Sequence, residues 1–326
     1  MSAPPSPTGA YPEHDKLGPL ATGGGDSGWR AALLGSARAT IADGRAAAAQ
    51  IATAPVEAVH GVRKALRRMR AIAELAADVL PDGIEDLVDS VRTARRDLAR
   101  ARDLDVAPAA IAELPLGEAD RAAANALVAG FKAVAPPAAE VAAAVARAVT
   151  ALAAVGDALD ASLPAEIADD VLLAGVRRTY RTARRERRRA RDSRRGLHRW
   201  RRRSKELSYQ LGLLTAAGGA RTAAIATPIA TLADDLGPIV DLLVIRDLAR
   251  AHVQPAEAPI DLDGVRAAAG GLSKDAVAAT RKASRELFAD GSRRFARRLG
   301  KALAKDRGGE ATADDGDHGD VADIVD

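Results

Sequence analysis

Residues 180–209 read YRTARRERRRARDSRRGLHRWRRRSKELSY. From Arg177 to Lys205 the chain sets sixteen Lys and Arg against two acids, Glu186 and Asp192. A run of like charge is ordinarily a solvated or disordered segment. Here apolar residues recur inside it. Wound at about 100° per residue, Leu197, Trp200, Ser204, Leu207, Leu211 and Leu214 fall on one arc, and His198, Arg201, Arg202, Lys205 and Tyr209 on the opposite one. The pattern predicts a helix with a buried face and a cationic face, and the cationic face calls for a polyanion.

Two further stripes accompany it. On a helix predicted from about Ile167 to Arg195, Arg177, Tyr180, Arg184, Arg188, Arg191 and Arg195 lie within an arc of about 80°, with Arg181 beside them. Residues 54–81, APVEAVHGVRKALRRMRAIAELAADVLP, predict another helix, with Pro55 suited to its first turn and Pro81 to its end. His60, Arg63, Arg67 and Arg70 share one side of it, flanked by Lys64 and Arg68; Val59, Val62, Leu66, Met69 and Ala73 take the other. The spacing His60-x2-Arg63-x3-Arg67 returns as His198-x2-Arg201-x3-Lys205. A second correspondence follows in the same order. Residues 86–106, DLVDSVRTARRDLARARDLDV, align with residues 229–244, IATLADDLGPIVDLLV, matching Leu98 to Leu236, Asp103 to Asp241, Leu104 to Leu242 and Val106 to Val244. Two ordered matches about 138 residues apart predict an internal duplication. The second copy lacks counterparts of Arg92, Arg95 and Arg96, so the halves are unequal.

Composition agrees with helices. Of 326 residues 48% are hydrophobic but only 2% aromatic, so the core must be Ala, Leu, Val and Ile, and close-packed helices suit small side chains. Cysteine is absent, which excludes disulfides, zinc–thiolate sites and cysteine nucleophiles. Residues 1–28, rich in Pro and Gly, read as a disordered leader and residues 304–326 as an acidic disordered tail. Between them, residues 107–165 read as helices broken at Pro115, Pro136–Pro137 and Pro164. A Pro-rich loop and a short helix are expected over 246–270, and a last helix from about Lys274 to Lys305, bent at Gly291. The start shows no secretory pattern, and the apolar stretch 222–245 is interrupted by Asp234, Asp235, Asp241 and Pro238. The expectation is a soluble cytoplasmic protein with no membrane partner.

The strings AVHGVRKALRRMR, RARDLDV, YRTARRERRRAR and LHRWRRRSKELSY, in this order, resemble the motifs of the CHAD family, the conserved histidine α-helical domain. The resemblance spans about residues 29–303. It implies an all-α fold of two pseudo-repeated helical bundles, about 29–165 and 166–303, flanking a basic central groove. It also implies non-catalytic binding of inorganic polyphosphate; granule-associated members are the phosins, which places the protein at polyphosphate granules. Carried over residue by residue, the groove would be lined from the first half by His60, Arg63, Arg67, Arg68, Arg70, Arg92, Arg95 and Arg96, with Asp103 orienting them. The second half would supply Tyr180, Arg181, Arg184, Arg188, His198, Arg201, Arg202 and Lys205. Two departures stand out: Ser208 occupies the place of a usual basic residue, opposite Arg70, and residues 29–50 offer only Arg30, Arg38 and Arg45 against the stripe of the Ile167–Arg195 helix. Some relatives carry a triphosphate-tunnel domain ahead of this one, for which the leader is too short.

Arginine suits a phosphate chain, because its fork donates paired N–H bonds to phosphate oxygens and stays charged at cellular pH. Helical repeats of three and four set such forks about one turn apart along the polymer. A charged histidine donates better than a neutral one, so the resemblance implies tighter binding near pH 6 than pH 8. Two other functions compete. Nucleic acid offers the same phosphates, but single-strand binders stack bases on aromatics, of which the chain has few. A groove histidine could accept a phosphoryl group, but no carboxylate cluster for a metal and no GxxxxGK[ST] cradle is present. No catalytic residue, metal site or cofactor is therefore assigned.

Overall fold

Apolar residues at three- and four-residue spacing make the helices and choose their neighbours. The computed structural model describes residues 28–308 apart from 83, 134, 191–193 and 252–260. The helices are α1 (Trp29–Ala49), α2 (Pro55–Leu75), α3 (Ile84–Asp97), α4 (Ala99–Ala112), α5 (Glu118–Ala133), α6 (Ala138–Ser162), α7 (Asp169–Arg189), α8 (Arg194–Ala217), α9 (Ala220–Ala251), α10 (Asp263–Ala283) and α11 (Ser292–Asp306). Short 3₁₀ turns occupy Ala77–Val79 and Glu286–Phe288. Among the described residues there is no strand, and the fold is all-α.

The apolar arcs of α2 and α8 are buried as expected, but Arg68, Arg70, Lys205 and Tyr209 from the cationic sides are buried too. Val59, Val62, Leu66, Met69 and Ala73 are buried, as are Leu197, Trp200, Ser204, Leu207, Leu211 and Leu214. Helices α1, α2, α3 and α6 pack on one another, and so do α7, α8, α9 and α11; α2 also packs on α8. One apolar core runs through both sets. A second, smaller core draws Ile111, Leu114, Leu127 and Phe131 from α4, α5 and the link between them. Ile245 and Ala249 of α9, Val265 of α10 and Leu262 just ahead of α10 complete it. At the chain ends, Trp29 Nε1 donates to Asp169 Oδ1 at 2.6 Å and Arg307 donates to the same oxygen at 2.9 Å while its guanidinium lies over the Trp29 ring. This ties α1, α7 and α11 together.

Several boundaries differ from the sequence reading. The single helix expected over 86–106 is two, α3 and α4, which part at the fully buried Leu98. Its counterpart α9 runs unbroken for 32 residues through Pro228 and Pro238, so these prolines do not end the helix. The expected last helix divides ahead of Gly291 into α10 and α11, and residues 304–306, expected in the tail, belong to α11. Helix α7 stops at Arg189 rather than Arg195. Helix α6 is long and apolar enough, by length and composition, to cross a membrane; here Val145, Ala148, Leu152, Val155 and Leu159 bury one side of it against its neighbours. The leader 1–27, Arg191 and residues 309–326 lie outside the described residues.

Candidate functional site

The contact of α2 with α8, flanked by α3, leaves a cleft lined by Leu66, Arg67, Arg70, Val91, Arg92, Arg95, Arg202, Lys205, Glu206 and Tyr209. Arginines of the first half and basic residues of the second therefore meet in one place. The apolar stripe of each helix is turned into the core, so its cationic arc has only the cleft and the surface to face. Arg95, half-buried on α3, is held down to about pKa 10 by burial first and then by the charges of Arg202, Arg67, Arg70 and Arg201. Arg202 is likewise lowered, by burial and then by Arg203 and Arg70, against the pull of Glu206 and Glu74. Among the described residues the buried Nε atoms of Arg67 and Arg202 have no hydrogen-bond partner. A buried donor left without an acceptor is costly, and an anion entering the cleft would relieve it.

Beneath these cations lies a carboxyl pair. Arg203 Nη1 donates to Glu74 Oε2 at 3.3 Å and to Glu206 Oε1 and Oε2 at 2.9 and 2.8 Å. Arg70 Nε donates to Glu74 Oε1 at 2.6 Å. Burial, then the hydrogen bond and charge of Glu74, push Glu206 upward into its protonated form. Burial acts the same way on Glu74, but the hydrogen bond from Glu206 and the charges of Arg70 and Arg203 outweigh it and hold Glu74 low. The carboxyls of Glu74 on α2 and Glu206 on α8 are thus driven in opposite directions, one held low and the other pushed up. Neither acid was found from the sequence, and neither was Arg203. The duplication does not repeat them: at the 138-residue offset Glu206 meets Arg68, Glu74 meets Gly212 and Arg203 meets Ala65.

The remaining expected residues divide. Arg63 Nη1 donates to the Arg95 carbonyl at 2.8 Å, bracing α3 against α2. Lys205 pairs with Asp234 and lies 6.0 Å from the centre of the Tyr209 ring, which is itself buried. Arg92 pairs with Asp89 at 2.8 Å, and Arg96, exposed, donates to Thr93 Oγ1 at 3.2 Å. Arg68 is not among the lining residues: it pairs with Asp43 of α1 at 2.9 Å, its side chain 8% exposed, and lies 5.9 Å from the centre of the Tyr209 ring. His60 is exposed and His198 and Arg201 are half-buried; none of the three lines the cleft, although Arg201 acts on Arg95. The Asp103 side chain lies outside the described residues, and its counterpart Asp241 is buried.

The stripe of α7 does not join them. Tyr180 is a packing residue: it is fully buried, stacks on Phe295 at 3.9 Å between ring centres, and donates through its hydroxyl to the Leu287 and Asp290 carbonyls at 3.0 and 3.1 Å. Its phenol is pushed well up, by burial and then by Asp290. Arg184 Nε donates to the Phe288 carbonyl at 3.0 Å, and Arg181 and Arg188 are exposed on the same arc. The opposite flank of α7 is the one that reaches the first half, where Arg178 pairs with Asp78. The stripe therefore faces the 284–290 turn and α11, and none of these four residues lines the cleft.

Fold and site together define an all-helical domain with a cationic cleft. The chain contains no cysteine, and among the described residues no group of three or more His, Cys, Asp or Glu could hold a metal ion. The CHAD domain model matches residues 32–250, about two-thirds of the chain, and the chain belongs to that family. The fold is similar to the crystal structure of the CHAD domain from the plant Ricinus communis, with a TM-score of 0.60 at 19% identity, covering 89% of this chain and 97% of that one. No curated protein matches the chain.

Proposed function

We propose that this protein binds inorganic polyphosphate without acting on it, in a basic groove between two pseudo-repeated helical bundles, and that it does so in the cytoplasm at polyphosphate granules. The bundles are α1, α2, α3 and α6 on one side and α7, α8, α9 and α11 on the other, with the α2–α8 contact between them. The observation that carries the reading is the convergence of Arg67, Arg70 and Arg95 from one repeat with Arg202 and Lys205 from the other. Two of these arginines hold a buried, unpartnered Nε. Polyphosphate has neither bases nor an apolar face, so charge and N–H donors are all that its binder can use, and this cleft supplies both. Of the non-charged lining residues Leu66 and Val91 are aliphatic, and the one aromatic, Tyr209, is buried with Arg68 and Lys205 over its ring, which leaves little ring face for a base to stack on.

A titration with long polyphosphate, short polyphosphate, RNA and DNA over a range of salt tests this. Polyphosphate is expected to bind tightest at every salt concentration, with affinity falling as salt rises. Replacing Arg67, Arg95 and Arg202 together by Ala is expected to lower polyphosphate affinity at least about tenfold, since each fork lost removes on the order of 1.5–3 kcal/mol of charged hydrogen bonding. Equal affinity for polyphosphate and for DNA of like charge, or an unchanged triple variant, overturns the reading.

A further inference from the structure

Arginines that bind nothing within a protein are uncommon in company, because like charges brought together repel one another. On the side of α7 away from the cleft they nevertheless gather. Arg187 Nε donates to Ser284 Oγ at 3.0 Å and its Nη2 to the Arg281 carbonyl at 2.5 Å. Arg184, one turn back, is fastened by its Nε to the Phe288 carbonyl. Both guanidiniums are thus oriented from their stems by the end of α10 and the turn that follows. Arg188, Arg281 and Arg285 stand close enough to Arg187 for their charges to depress it, after burial itself.

What these five lack is a counter-ion. Other arginines of these helices do have one: Arg68 has Asp43, Arg70 and Arg203 have Glu74, and Arg178 has Asp78. Among the described residues no carboxylate lies within ion-pair distance of Arg184, Arg187, Arg188, Arg281 or Arg285. Nearby Asp290 is taken up by Arg294 and Arg298 at 3.2 and 3.5 Å, and the other acid of the turn, Glu286, is exposed. The bland reading makes Arg184 and Arg187 helix-end caps. It accounts for two guanidiniums, and solvation accounts for the exposed Arg188 and Arg285 taken singly, but neither explains why all five gather in one place.

We propose that Arg184, Arg187, Arg188, Arg281 and Arg285 form a second anion site for the phosphate groups of a polyphosphate chain, separate from the cleft. Two forks pre-set by backbone carbonyls and three more beside them match successive phosphates better than isolated anions. The site shares no residue with the cleft, so one molecule can hold two chains, or two distant parts of one, and draw them together. Its ligand rests on the reading above; its geometry does not.

The test is a calorimetric titration of the whole protein with a short polyphosphate, beside light scattering with a long one. The wild type is expected to take two equivalents of the short chain and to form light-scattering assemblies with the long one. Arg188→Glu/Arg285→Glu, both at exposed positions, is expected to take one equivalent and form no assemblies; Arg188→Gln/Arg285→Gln repeats the test should the first variant unfold. Arg67→Ala/Arg202→Ala is expected to retain one equivalent, at the second site. If that cleft variant binds nothing, or the Arg188/Arg285 variant still takes two, the second site does not exist. One equivalent weakened by both variants means a single continuous path and also overturns it. An unaffected cleft variant, with binding lost in the Arg188/Arg285 variant, would sink the cleft reading alone. Retention of a short single-stranded DNA but not polyphosphate at this face would overturn the ligand assigned.

Discussion

Glu206 shows how one side chain sets the chemistry around it. It is buried between Arg203 and Glu74, and it is charged only when it loses the proton that its raised carboxyl holds. A carboxyl raised by folding stabilises the protein in its protonated form. Its contribution is therefore intact below the ordinary glutamate value and declines as pH rises from there through the raised value. Glu74, held low, behaves in the opposite sense: its contribution is present above the ordinary value and is lost only on strong acidification. Across neutral pH the slope belongs to Glu206. Glu206→Gln keeps the acceptor for Arg203 and can donate to Glu74, so the melting temperature of this variant is expected to change less between about pH 5 and about pH 8.5 than that of the wild type. Scanning calorimetry at the two pH values checks this, and parallel curves would remove the raised carboxyl of Glu206 from the account. At this scale the sequence exposed the cations, because they repeat at helical spacing. It hid Glu74, Glu206 and Arg203, because no periodicity marks them and no counterpart occupies the other repeat.

Among elements, α7 carries the clearest lesson. Its arginine stripe is as regular as those of α2 and α8, yet Tyr180 from the same arc lies in the core beside Phe288 and Phe295. Helical phase tells which residues share a side but not what that side meets; the packing of α11 and the 284–290 turn decides that. On another side of α7, the close approach of the end of α2 requires glycine at Gly175. A Cβ there would stand 2.3 Å from the Leu75 carbonyl oxygen and 3.1 Å from its Cα, and backbone cannot swing aside. Gly175→Ala is expected to destabilise the protein by about 1–3 kcal/mol, as overpacking does. Gly35→Ala is the control: nothing lies within 4 Å of its added methyl, and a helix-interior Gly replaced by Ala gains roughly 0.5–1 kcal/mol. Denaturant unfolding of both variants checks the pair. The break at Leu98 likewise eluded the pattern, since Leu98 keeps the apolar register that α9 carries through Leu236 without a break.

At the scale of the whole molecule, α1, α2, α3 and α6 share one core with α7, α8, α9 and α11, so ligand held between the two sets is coupled to folding. A polyanion that binds only the folded chain stabilises it by mass action, by about 2.7 kcal/mol at a free concentration one hundred times its dissociation constant. Long polyphosphate is expected to raise the melting temperature by several degrees at low salt and by little at about 1 M salt, where screening is strong. A melting temperature indifferent to the polymer at low salt would contradict binding between the two sets.

The amino-acid order alone determined that the protein is helical and that α2 and α8 each carry an apolar and a cationic side, because these are consequences of local spacing. Which cationic sides face one another was decided only by the tertiary structure. That choice depends on contacts such as α2 with α8 and Tyr180 with Phe295, between residues far apart in the chain, whose meeting no local period encodes.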